Sequence, residues 1–129
     1  MKNIITYILS AILLISANLY AQENNNAIIL SDNSVKSIGI AIQSDNDGLK
    51  KSAMLMIGKH KLNQPCCLLI EQYGREKNMD YRYLIARVIY MVGCDLSVEK
   101  FRTVLKEEEV TELKYFCELL DKNYQFAQN

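Results

Sequence analysis

His60 is the only histidine in the 129-residue sequence, so any nucleophilic Cys/His pair or imidazole-based metal site would have to use it. It lies shortly before the adjacent pair Cys66 and Cys67, and these three side chains together suggest part of a zinc site. Structural zinc sites need separated ligand pairs whose backbone can wrap a tetrahedron, which neighbouring cysteines do poorly. No metal is therefore expected, and His60 reads as a half-exposed side chain at a helix end, where the dipole favours it. The acidic run Glu107-Glu108-Glu109, with Glu112, could be paired carboxylates or a cation site. Catalytic carboxylates need burial to separate their pKa values. This run reads instead as a solvated turn leading into a helix N-terminus, where negative charge is stabilising. The sequence carries no phosphate-binding glycine loop, nucleophile elbow, HExxH or EF-hand spacing. The expectation is a non-enzymatic chain with no catalytic residues and no cofactor.

The residue types that do suggest recognition are Tyr83, Arg87 and Tyr90, at i, i+4 and i+7 of one helical segment, and Tyr115, at the matching position of the last segment. Exposed Tyr and Arg dominate binding hot spots, which makes these four the candidate protein-binding residues. The competing reading is a surface ladder of Tyr83 on Tyr115 with Tyr90 covering a core edge. Four cysteines follow the N-terminal segment: Cys66, Cys67, Cys94 and Cys117. Their spacing is not a disulfide framework, and Cys117 falls on an apolar helical position where a thiol packs like a small hydrophobe. A bridge from Cys94 to Cys66 or Cys67 is compatible with the fold, set against thiols that stay buried or half-buried.

Residues 1–21 have Lys2, an apolar run from Ile4 to Ile15 and small residues before a cut after Ala21, the pattern of a secretory signal peptide. Polar Gln22 to Asn26 follows too soon for a membrane span. The expected product is exported, periplasmic or extracellular, with no stable span after cleavage and a polar flexible leader over 22–33. The whole chain has 15 basic and 15 acidic residues, and losing Lys2 leaves 14 against 15. Near-neutral charge gives no clustered basic face for nucleic acid or an anionic membrane, so neither is an expected partner. About 108 residues remain, enough for one small domain.

The rest of the chain reads as helices joined by short turns. Ser34–Gln43 places Val35, Ile38 and Ile42 at helical spacing. A helix from Asp47 to about His60 is expected to bury Leu49, Ser52, Ala53, Met56 and Ile57. The next runs from Pro65 to about Arg75 with Cys66, Leu69, Ile70 and Tyr73 inward, Pro65 sitting at the first helical position. Asp80 caps a helix to Val92 over Tyr81, Leu84, Ile85, Val88 and Val92, stopped by Gly93. Ser97 caps a helix to about Glu107 over Val98, Phe101, Val104 and Leu105. The last, from about Glu109 to Tyr124, buries Leu113, Phe116, Cys117 and Leu120, and residues 127–129 fray. No segment alternates with period two long enough to be a strand.

Three of these segments repeat one another. Leu49 to Ile57 recurs as Tyr81 to Ile89 and again as Leu113 to Leu120, with hydrophobic and basic positions in the same order. The step from Leu49 to Tyr81 equals the step from Tyr81 to Leu113. Asp45-Asn46-Asp47-Gly48-Leu49-Lys50-Lys51-Ser52-Ala53 and Asp80-Tyr81-Arg82-Tyr83-Leu84-Ile85-Ala86 resemble the first-helix consensus of HEAT-like repeats: an acidic cap, then a hydrophobic, a basic and a small residue. The resemblance implies an all-α fold, a right-handed stack of antiparallel helix pairs forming an α-solenoid of about three repeats over 34–126. In such an array Leu49, Tyr81 and Leu113 would occupy equivalent sites, and the terminal helices would leave apolar end faces open to a partner or a homodimer. Arrays of this kind serve as scaffolds or adaptors for other proteins. The alternative is a small all-helical periplasmic inhibitor or immunity protein that binds one enzyme.

Overall fold

The computed structural model describes residues 28–129, and the expected signal peptide lies outside the described residues. Six helices and no strand make up the described chain: α1 Asp32–Ile42, α2 Asp47–Lys59, α3 Cys66–Arg75, α4 Met79–Val92, α5 Asp95–Leu105 and α6 Thr111–Gln128. None is long and apolar enough to cross a membrane.

Short polar side chains set the helix starts. Ser31 Oγ accepts the Ser34 N–H at 3.2 Å, Asn46 Oδ1 that of Leu49 at 2.9 Å, and Asn78 Oδ1 that of Asp80 at 2.9 Å, each satisfying a first-turn donor. Asn78, rather than Asp80, therefore caps α4. Pro65 stands one residue before α3 instead of inside it, and Ser97 is buried within the first turn of α5, whose N-cap position belongs to Cys94. Gly93 ends α4 in the left-handed region at φ 68°, a conformation open to glycine at little cost. The chain before α1 is already tied down, because the Gln64 amide both accepts the Leu30 N–H and donates to the Leu30 carbonyl. At the other end α6 continues past Tyr124 to Gln128.

The helices lie in two interleaved sets. α1 packs on α3 and α3 on α5; α2 packs on α4 and α4 on α6. Between the sets the close contacts are α1 with α2, α3 with α4 and α4 with α5; the expected pairing of α2 with α3 is not among them, nor is α1 with α6. Gly39 permits the α1–α3 approach, since a Cβ there would stand 3.2 Å from Leu68 Cδ1.

Packing on several sides also explains which expected core positions moved. α4 touches four other helices and buries Ile85, Ala86, Val88, Ile89, Tyr90 and Val92, a wider arc than one stripe. α2 buries Ala53, Met54, Ile57 and Gly58, while Leu49 is 50% exposed and Met56 and Ser52 are also exposed. The row Leu49, Tyr81 and Leu113 is accordingly uneven: Leu49 is exposed, Tyr81 half-buried and Leu113 fully buried. The row Ala53, Ile85 and Cys117 is buried throughout. Tyr73 and Phe101, edge to face at 4.9 Å between ring centroids, anchor the α3–α5 side of the core.

Candidate functional site

The turn preceding α4 and the turn preceding α6 are built alike. At the first, Lys50 Nζ lies 3.3 Å from Glu76 Oε2, Gln72 Nε2 donates to the same oxygen at 3.0 Å, and Glu76 Oε1 accepts the Asn78 N–H at 3.0 Å. At the second, Arg82 Nη2 lies 2.6 Å from Glu108 Oε2, the Tyr73 hydroxyl donates to that oxygen at 2.5 Å, and Glu108 Oε1 accepts the Val110 N–H at 3.0 Å. Cation, carboxylate and bonded amide advance by one and the same step, from Lys50 to Arg82, from Glu76 to Glu108 and from Asn78 to Val110. Ser44, one such step before Glu76, accepts the Asn46 N–H through Oγ at 3.1 Å in the turn preceding α2.

The Glu108 side chain is only 2% exposed, so the reading of this acidic run as a solvated turn fails at Glu108. Burial raises its pKa, but the Tyr73 hydroxyl, the Val110 N–H and Arg82 outweigh that and hold the carboxyl below its usual range. Glu76 behaves alike: burial is opposed by the Asn78 N–H, Gln72 and Lys50, and its pKa is lowered. Tyr73 is pushed well above an ordinary phenol by burial and by its bond to Glu108. The Arg82 guanidinium also covers the Tyr73 ring at 4.6 Å, and Lys50 covers Tyr81 at 4.9 Å. The sequence signal for these corners was present in the equal advance from Lys50 to Arg82 and from Glu76 to Glu108.

Beside the first of these corners, whose Asn78 lines it, an open groove of about 540 Å³ lies between α2, α4 and α6. Tyr83, Leu84 and Phe116 supply its apolar surface, with Asp47, Lys51, Asp80 and Arg87 around them. The Tyr81 hydroxyl donates to the Asp47 carbonyl at 3.1 Å and ties α4 to the start of α2. Tyr83 stacks edge to face on Phe116 with centroids 5.0 Å apart, so its aromatic partner is Phe116 and not Tyr115. Arg87 is exposed, and no carboxylate among the described residues lies within ion-pair distance of it.

Of the four expected binding residues the groove therefore brings together Tyr83 and Arg87. Tyr90 is 8% exposed and packs on Phe101 and Tyr124, on the side of α4 facing a separate cavity of about 490 Å³ between α5 and α6. Its hydroxyl has no hydrogen-bond partner among the described residues, and burial with the nearby Asp121 carboxylate raises its pKa. Tyr115 is 61% exposed and lines neither cavity. Asp80, expected as a cap, lines the groove, and so do Leu84 and Phe116, which were expected in the core and pack half-buried against it.

All four thiols are free, and no bridge joins Cys94 to Cys66 or Cys67. Cys67 faces solvent, whereas Cys66 is buried and its pKa is pushed up by that burial to about 11 despite a bond to Ser97. Burial likewise pushes Cys117 up to about 12. Cys94 is shifted the other way, chiefly by the Ser97 N–H at the start of α5. Among the described residues no group of three or more His, Cys, Asp or Glu side chains is placed to hold a metal ion. Comparison with protein-family models, with curated proteins and with solved structures returned no match.

Proposed function

We propose that the chain is an exported, non-enzymatic helical-repeat protein that binds another protein through the groove between α2, α4 and α6. The observation that carries this reading is the pairing of Tyr83 and Phe116 on the groove surface beside an exposed Arg87 that no carboxylate among the described residues pairs. Aromatic rings held rigidly by packing lose little entropy on binding, and an exposed arginine can reach a carboxylate or carbonyl. The HEAT-like array is supported by the recurrence of the Lys50–Glu76 corner as Arg82–Glu108 and by the two interleaved sets of helices. Export rests on Lys2, the apolar run Ile4 to Ile15 and the small residues ending at Ala21. Periplasmic or extracellular placement follows from it.

Capture from the native cell envelope, read by mass spectrometry, tests the reading. Envelope structural proteins retained by the wild type and lost by Tyr83→Ala/Arg87→Ala are the expected result. A single enzyme held at stoichiometric yield assigns the chain to the inhibitor or immunity class instead. Turnover of a substrate that vanishes when one named side chain is removed would defeat both.

A further inference from the structure

We propose that a second copy of this chain docks on the outer face of α6, helix against antiparallel helix, leaving the α2/α4/α6 groove free. Tyr115 is 61% exposed, Leu119 41% and Phe126 82%. At 3.6 residues per turn these three and Lys122 fall within an arc of about 60°, opposite the buried Leu113 and Cys117. They lie on the side of α6 turned away from α4, at the end of the α2–α4–α6 row among the described helices.

Register within the chain shows what that face lacks. Tyr83 on α4 is covered by Phe116 of the next helix in the row. Tyr115 matches Tyr83 one repeat later, and no described helix covers it. End-to-end stacking would offer it α2 of another copy, where the position matching Phe116 is the exposed Ser52, which provides no ring. Such a head-to-tail contact would also leave a free end to grow from. An antiparallel α6–α6 contact closes on itself: the register that sets Tyr115 over Phe126 of the second copy does the reverse across the two-fold axis. The same register brings Lys122 near Glu118 of the second copy, twice. The face thus supplies the aromatic pairs and its rim, at Glu118 beside the α5–α6 cavity, their charge complement.

The test is the mass of the purified chain by sedimentation equilibrium. A dimer is expected for the wild type and for Ile40→Glu, which alters an exposed apolar side chain at the opposite end of the chain. Tyr115→Glu/Phe126→Glu should halve the mass while the helical circular dichroism stays unchanged. Lys122→Glu should weaken the dimer, and Lys122→Glu with Glu118→Lys should restore it, which fixes the register even where the aromatic double variant misfolds. A monomeric wild type, an assembly larger than a dimer, a dimer lost with Ile40→Glu, or one indifferent to the α6 changes overturns the proposal.

Discussion

Glu108 ties three helices together: its one carboxylate joins α3 through Tyr73, α4 through Arg82 and the start of α6 through the Val110 N–H. Removing one partner of a buried pair strands the other, at a cost of about 3–5 kcal/mol in full burial. Arg82 retains 20% exposure and can recover some hydration, so Glu108→Ala is expected to cost about 2–3 kcal/mol by urea unfolding. Glu76→Ala should cost less, since Lys50 approaches at 3.3 Å with a single ammonium contact. Acid should find the same two groups. Both carboxyls titrate below their ordinary value in the folded chain, so on acidification the unfolded chain takes up these protons first. Their contribution is complete above an unfolded value of about 4.3 and is lost as pH falls through the lower folded values. Unfolding midpoints taken from neutral pH downward should show that loss, and Glu108→Gln should flatten it. In the hydrophobic core, Phe101→Ala is expected to cost about 3–5 and Ile85→Ala about 2–5 kcal/mol, both residues being fully buried; melting temperatures unmoved by either would refute the assigned packing.

At the scale of the helices, the existence of each helix and the stop at Gly93 were legible, while the starts of α4 and α5 were read two or three residues late, at Asp80 and Ser97 instead of Asn78 and Cys94. Asn46, Asn78 and Gly93 act within a turn of their own position. Asn78→Ala should cost about 1 kcal/mol as a lost cap, and Gly93→Ala about 1–2 kcal/mol for forcing a Cβ into the left-handed region. Nothing blocks that added atom, whose nearest neighbour would be 3.6 Å away, so a larger loss in chemical denaturation would point to a contact beyond the backbone effect. Which face each helix buries was less legible. A single apolar stripe describes a helix packed on one side, and α5 fits it through Val98 and Phe101. α4 is enclosed by four neighbours, so Tyr90, read from its spacing as part of an exposed patch, is turned into the core beside Phe101. Gly58 of α2 is buried for a related reason, with Val88 and Met91 of α4 within contact distance of where its Cβ would be, and the arc shifts away from Met56.

For the whole molecule, the all-helical class followed from the absence of period-two segments and from helical spacing throughout, and the described chain is all-helical. The groove was half legible. Tyr83 and Arg87 stood out by type and spacing, but Phe116 was assigned to the core, and only the α4–α6 packing turns its ring toward Tyr83. Glu108 was hidden because three consecutive glutamates read as solvated unless matched, residue by residue, with Glu76 one repeat earlier. Central to the proposed function is that a protein partner occupies the groove between α2, α4 and α6. Hydrogen exchange on the captured complex measures this directly, by comparing amide protection with and without the partner. Added protection is expected over the groove-lining segments, residues 47–51 and 78–87, and at Phe116, with the α1–α3 side unchanged. Protection confined to α1, α3 and α5, with those groove segments exchanging as in the free chain, would contradict it.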